Sequence, residues 1–368
     1  MQFDFSEEQK ALQSDVRRFF ERACPISRVR ALIDSDGTHD ADLWKQVSEQ
    51  GFLAAAIPEQ WGGVGAGHLE LCLVAEEAGR VLAPLPAVSS IYQGAEVILL
   101  AGSEAQKQAW LPRLASGDAI ATFAIAETAG EATPGRIVAR VTDGKLSGTK
   151  RPVSDGMAAD LAIVAAHGEN GLGLFLVDLS APGVQRRSIK AIDPSRKQAE
   201  TVFDGAVAEP LGVSGEGWEL LSAVRDRAAV LVAFEQLGGA QAALEAARDY
   251  ALGRYAFGKP IGGFQAIKHM LADMYVALEL ARSNAYYGAW ALATGAIQLP
   301  LAAASARVAA SDAYRHCATN NIQVHGGMGF TWEFDCHLHY RRARYLGSVL
   351  GTAPEWERKL LAAYGRAA

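Results

Sequence analysis

The chain has little that would grip a polyanion and no segment apolar enough to hold it in a membrane. Among its 368 residues, 35 Lys and Arg stand against 41 Asp and Glu, a net charge of -6. A nucleic-acid surface needs clustered positive charge, so no nucleic-acid partner is expected. No charge-free apolar run approaches the ~20 residues of a membrane span. The N-terminal MQFDFSEEQK lacks a basic segment followed by an apolar core. A soluble, cytoplasmic protein is expected. Cysteine is scarce: Cys24, Cys72, Cys317 and Cys336 form no CxxC pair, and a chain this long does not need disulfide staples. They read as reduced thiols packed in the interior, and no metal site is expected. What is plentiful is apolar. Hydrophobic residues make up 50% and charged residues 21%, which marks a folded chain, long enough for two or three packed units.

Three textures follow one another. Residues from about 5 to 117 read as helical. Ser6, followed by Glu7 and Glu8, suits a helix start with acids in the first turn. Leu12, Val16, Phe19 and Phe20 then recur on one face. PEQWGGVG at 58–65 interrupts the pattern, as Pro and Gly do. A second amphipathic stretch carries Leu69, Cys72, Leu73, Ala75 and Ala78 toward a core, and Pro84 and Pro86 end it.

From Ala121 to about Val213 the chain reads as short strands. Ala121 to Ala126 and Ile137 to Val141 are strand-like, and Thr142-Asp143-Gly144-Lys145 fits a tight hairpin turn that needs positive φ. Asn170-Gly171 separates Leu161–Ala166 from Leu172–Leu179 as a second hairpin. A small antiparallel sheet is expected here. From Gly217 onward the pattern is helical again. Ile267, Met270, Leu271, Met274 and Leu278 form a stripe suited to bundle packing. The expected class is α+β, with a helical domain at 1–118, a β domain at 119–213 and a helical bundle at 214–368.

RYAFGKPIGGFQ at 254–265 and QVHGGMGF at 323–330 stand in this frame. WGGVGAG at 61–67, EEAGR at 76–80, GEGW at 215–218 and QAIKHMLADM at 265–274 accompany them. Together they resemble the acyl-CoA dehydrogenase family over nearly the whole chain, including its order of helical, β and four-helix-bundle domains. The resemblance implies FAD as cofactor. A guanidinium such as Arg254 suits a pyrophosphate fork. Phe257 offers a flat apolar face, and Gln265 both donor and acceptor for adenosine edges. Gln323 belongs to the same clamp, and Gly326 and Gly327 let backbone approach a phosphate or adenine closely. His325, between them, is expected to pack. In the family these groups reach a flavin held mainly by a neighbouring subunit. A homodimer, a homotetramer or a heterotetramer with a homologous subunit is therefore implied.

The β segment departs from the family pattern. A flavin-holding Thr is expected at Ala126, so Ile125 and Ala126 keep only backbone contacts. Pro152 and Ser154 occupy the places of a Trp and a Thr or Ser, which leaves Ser154 to hydrogen-bond the flavin.

The implied reaction is α,β-dehydrogenation of an acyl-CoA thioester, with a carboxylate taking the α-proton and the β-hydrogen leaving as hydride to flavin N5. The thioester oxygen needs donors and the carboxylate a pKa raised toward neutrality. Many family members place that Glu before a Gly-Thr pair; here Leu350 precedes Gly351 and Thr352. Leucine takes no proton, though its backbone N–H still suits the thioester oxygen. Thr352 is counted with the cofactor contacts. A second branch of the family puts its base before an Arg on the helix after the β domain, which makes Asp226, before Arg227, the candidate. Counting back from Gly238 sets Asp226 two residues early, ~200° of helix rotation, so a solvent-facing position stays open. Glu235, further on, is expected to face neighbouring helices.

Three functions remain: a self-sufficient dehydrogenase, a base-lacking subunit of a mixed assembly like those of bacterial steroid side-chain breakdown, or a flavin monooxygenase or oxidase relative. An electron-transferring flavoprotein is the acceptor the resemblance implies. Leu350 and the absent Trp point to a roomier or displaced pocket, for branched or ring-bearing acyl groups.

Overall fold

The computed structural model describes residues 5–367. From the N-terminus run α1 (Glu7–Ala23), α2 (Ile26–Ile33), α3 (Ala41–Glu49), α4 (His68–Arg80) and α5 (Ala87–Ser89). A π-helical turn over Ser90–Ala95 leads into α6 (Glu96–Ala101) and α7 (Glu104–Ala115). Eight strands follow: β1 (Ala121–Ala124), β2 (Arg140–Thr142), β3 (Lys145–Ser154), β4 (Leu161–Gly168), β5 (Gly171–Asp178), β6 (Val184–Ile189), β7 (Gln198–Val207) and β8 (Glu209–Leu211). Then come α8 (Gly217–Gly253), a short hairpin of β9 (Tyr255–Ala256) and β10 (Lys259–Pro260), α9 (Gln265–Thr294), α10 (Leu299–His325), α11 (Cys336–Leu346) and α12 (Ala353–Ala367). The expected sequence of helices, sheet and helices is present.

The chain divides into two compact units. One gathers the N-terminal stretch as far as Val29, then Cys72–Ala83, then Ala229 to the C-terminus; the other holds Arg30–Leu71 and Pro84–Ala228.

The first unit is helical. Ser6 opens α1 with a capping box: its hydroxyl accepts from Gln9 N–H at 3.2 Å, and Gln9 Oε1 accepts from Ser6 N–H at 2.9 Å. Val16 and Phe20 are buried as the stripe requires. Small residues set the helix spacing. A Cβ on Gly79 of α4 would lie 1.9 Å from the Glu235 carbonyl oxygen of α8, and one on Gly238 of α8 would lie 1.8 Å from that of Glu76. The two helices touch through their backbones. On α9, Met274 and Leu278 are buried, whereas Ile267, Met270 and Leu271 are only half-buried. On the same helix Tyr275, Val276 and Leu280 are 57%, 54% and 63% exposed. All four cysteines are free and buried. Burial pushes the Cys317 thiol up to about 12.

In the second unit the eight-stranded sheet runs β6-β7-β3-β2-β4-β5-β8, with β1 beside β4. Both expected hairpins form. Asp143 and Gly144 take φ of 49° and 70° between β2 and β3, the left-handed pair that a two-residue hairpin needs. The antiparallel expectation needs correcting for two strands. β1 pairs with β4 in parallel, from Ala121↔Leu161 to Ala124↔Val164, and β2 also meets β4 in parallel, at Arg140↔His167. No tight turn joins them, and parallel neighbours need a long crossover. Two expected strands are also shorter than their sequence suggests. β1 stops at Ala124 because the carbonyls of Ile125 and Ala126 accept from Lys150 Nζ and the Arg151 N–H. β2 starts only at Arg140 because Val138 and Ala139 donate to the Glu127 side chain rather than to a strand. β4 is buried along Leu161–Ala166, packed with Phe123, Leu174, Leu176, Val97, Ile98, Leu111 and Leu114.

Candidate functional site

Most of the expected cofactor clamp lies in the helical unit. Arg254 follows α8, and the β9–β10 hairpin turns through Phe257 and Gly258 at φ 53° and 80°. Positive φ is costly for an aromatic residue, yet Phe257 is 96% exposed at the tip. It meets Phe264 edge to face at 6.2 Å, and Lys259 Nζ sits 4.3 Å from the Phe264 ring. Gln265 opens α9 and is exposed.

Gln323 lies on the exposed face at the end of α10, where the helix stops at Gly326 with φ 59°. An added Cβ at Gly327 would meet nothing in this chain, so its own packing does not require glycine there. Beneath the turn His325 is buried. Its Nδ1 lies 2.8 Å from the Asn321 carbonyl, and its ring stacks on Tyr250 at 4.0 Å. It packs, as expected.

Arg254, Tyr250, Gly253, Met328 and Phe334 line one cavity of about 480 Å³, with Asp249 at its edge. The guanidinium of Arg254 makes no ion pair among the described residues. An exposed, unpaired cation beside an open aromatic-lined cavity and a bare Gly-Gly backbone is a donor set that fits a dinucleotide's pyrophosphate.

The remaining expected contacts on the sheet lie together at the end of β1. Ile125, Ala126 and Ser154 are half-buried. Thr122 Oγ1 donates to the Ser154 carbonyl at 2.5 Å, which ties the end of β3 to β1. Thr352 lies in the helical unit, just before α12. Its N–H donates to Glu355 Oε2 at 2.7 Å, a helix-capping role.

Of the acid–base candidates, Leu350 is buried at 3% exposure, and its carbonyl accepts from Trp356 Nε1 at 3.2 Å. Asp226 is 4% exposed, so the solvent-facing alternative does not hold. Glu235 is buried with Arg342, whose Nη1 lies 3.4 Å from its carboxylate while Nη2 donates to the Leu82 carbonyl at 3.0 Å. That arrangement joins helices, as expected.

Sequence reasoning missed two charged groups. Beside Asp226, Arg227 Nε donates to Glu96 Oε2 at 2.5 Å, and His68 Nε2 lies 2.6 Å from Glu96 Oε1. Burial would raise the Glu96 carboxyl, but His68 and Arg227 outweigh it and hold the carboxyl below its usual range. The three residues are far apart in sequence, and no spacing announces them. The other group is the buried Lys150–Glu127 pair. Here a signal existed: period two along β3 sets Leu146 and Lys150 on the same inward face.

Among the described residues no helix is long and apolar enough to cross a membrane. Residues 6–118 match the family model for the acyl-CoA dehydrogenase N-terminal domain, and residues 215–363 that for its C-terminal domain. The acyl-CoA dehydrogenase IpdE2 of Mycobacterium tuberculosis is 32% identical over 355 residues, covering 96% of each chain. The Tcur3481–Tcur3483 steroid ACAD variant has a similar structure, at TM-score 0.88 and 31% identity, over 98% of this chain and 99% of that one. The ChsE4–ChsE5 complex of Mycobacterium tuberculosis superposes at TM-score 0.90 and 27% identity, over 99% of both chains.

Proposed function

The chain belongs to the acyl-CoA dehydrogenase family, whose members are FAD-dependent oxidoreductases acting on acyl-CoA, and from that premise we propose that it catalyses α,β-dehydrogenation of an acyl-CoA thioester. The observation that carries this reading is the open clamp: Arg254 without an ion pair at a cavity of about 480 Å³, near a Gly-Gly turn. Bound FAD supplies the hydride acceptor. Two sets of this chain's residues would hold flavin, and the clamp set would reach one held mainly by a neighbouring subunit. In the clamp set Arg254 would neutralise the pyrophosphate, and Gly326 and Gly327 would present backbone N–H groups with no side chain in the way. Phe257, Gln265 and Gln323 would meet that nucleotide, Ile125, Ala126 and Ser154 would meet the ring system of the flavin this chain itself holds, and Thr352 is the remaining proposed contact. Asp226 receives the α-proton at its carboxylate. We take 1–118, 119–213 and 214–368 as the domains. The exposed apolar face of α9 supports an assembly of at least two subunits, and an electron-transferring flavoprotein is the proposed acceptor.

Leu350 favours a second reading. A buried leucine where a base is expected suits a subunit whose chemistry is completed by a homologous partner, in fatty acid or steroid side-chain β-oxidation. The ChsE4–ChsE5 complex, to which this chain is similar, has two components.

The visible spectrum of the purified chain tests the choice. FAD at near one per subunit, with acyl-CoA turnover, supports the self-sufficient enzyme. Flavin and turnover that appear only on co-expression with a homologous subunit support the second reading. Asp226→Asn is expected to lower turnover about 10²–10⁴-fold, the usual contribution of a general base. A retained rate removes Asp226 from that role.

A further inference from the structure

Lys150 is an unusual residue for the middle of a strand. Its side chain is 0% exposed, and lysine is almost never fully buried unless paired. Nζ donates to Glu127 Oε1 at 2.7 Å and to the Ile125 carbonyl at 3.0 Å. Glu127 also accepts from the Val138 and Ala139 N–H groups at 2.9 and 3.1 Å. Burial would raise the Glu127 carboxyl, but Lys150 and these two amides hold it below its usual range. Burial pulls the Lys150 ammonium down, against the Glu127 charge.

In a trans peptide the C=O and the N–H point in opposite directions. With the Ile125 carbonyl turned onto Lys150, the Ala126 N–H points away from it. The Ala126 carbonyl is also taken inward, by the Arg151 N–H at 2.7 Å. The Ala126 N–H has no acceptor among the described residues, and Ala126 is only half-buried. A charged donor on a carbonyl makes a stronger bond than a neutral one and polarises the amide, which strengthens its N–H as a donor.

The geometry points to Lys150 as a positioning residue that fixes and polarises the Ala126 N–H as a donor to an electron-rich edge of the flavin. This rests on the reading of Ile125 and Ala126 as flavin contacts. Lys150 touches no ligand; it acts through the Ile125–Ala126 peptide. Such a donor binds the more electron-rich, reduced cofactor better than the oxidised one.

The test is the FAD affinity and two-electron midpoint potential of the holoenzyme at pH 6. Lys150→Met is expected to cut the preference for reduced over oxidised FAD about tenfold, a shift of about 30 mV to lower potential. Glu127→Gln removes the countercharge and keeps Lys150, so its potential is expected to rise. Opposite signs support the proposal. Shifts of the same sign, or potentials equal to wild type in folded variants, overturn it and leave Lys150 a structural residue. Should Lys150→Met fail to fold, the sign for the isosteric Glu127→Gln decides. A wild-type chain that holds no FAD, alone or with a homologous subunit, overturns the flavin reading itself. FAD-replete protein with unresponsive potentials overturns only the role of Lys150.

Discussion

Glu96 and His339 show how single buried groups couple this fold to pH. Glu96 is 2% exposed and held by His68 and Arg227. Removing one partner of such a group leaves an uncompensated charge, so Glu96→Gln is expected to cost on the order of 3 kcal/mol in urea unfolding. Its folded pKa is depressed, so this stability is fully present above the unfolded value near ~4.3 and is lost as pH falls through the lower folded value. The gap between wild type and Glu96→Gln is expected to hold from pH 7 to 5 and close below about pH 4. His339 behaves differently. Burial, with Arg342 and Arg80 nearby, lowers it to about 4, and the Tyr314 hydroxyl lies 3.2 Å from its Nδ1. The unfolded chain therefore takes up a proton that the folded chain refuses between about pH 6.5 and 4. Wild type is expected to lose stability as pH falls through that window, and His339→Gln to show a flatter profile there.

At the scale of elements, the α4–α8 contact is set by glycine. A Cβ at Gly238 would lie 1.8 Å from the Glu76 carbonyl oxygen, a distance only helix separation relieves. Gly238→Ala is expected to cost about 3 kcal/mol or more, the upper end for overpacked cores, read as a fall in melting temperature. Elements with local causes were legible in the sequence. The Ser6 cap, the Asp143-Gly144 turn and the stop before Pro84 each follow from a few adjacent residues. The parallel placing of β1 was not, because nothing near Ala121 encodes a partner forty residues on. The ends of β1 and β2 escaped for the same reason: side chains of Glu127 and Lys150 take backbone groups that a ladder would otherwise use. At the site, the clamp residues were readable as motif, whereas the burial of Asp226 depends on a helix register that counting could not fix. The Glu96 cluster joins positions 68, 96 and 227 and left no trace in local pattern.

At the scale of the molecule, the uncovered face of α9 carries the assembly prediction. Tyr275, Val276 and Leu280 are each more than half exposed on this one helix, and large exposed apolar side chains gathered on one element suit an interaction surface. Sedimentation velocity is expected to give a dimer or larger species for wild type. Leu280→Asp is expected to shift it toward monomer while leaving helix content unchanged. A monomeric wild type would remove α9 as the interface.

The helical unit is discontinuous in sequence, drawn from the stretch before Val29, from Cys72–Ala83 and from Ala229 onward. During synthesis α1 leaves the ribosome roughly two hundred residues ahead of α8, which at ~10 residues per second is about 20 seconds. Arg17 meets Glu77 early in that interval, but the buried Glu76 has no Arg282 until late. The Arg30–Leu71 and Pro84–Ala228 unit is complete on the ribosome while the other is still a set of fragments with apolar faces in water. Nascent chains halted near residue 228 are thus the species on which a chaperone would act.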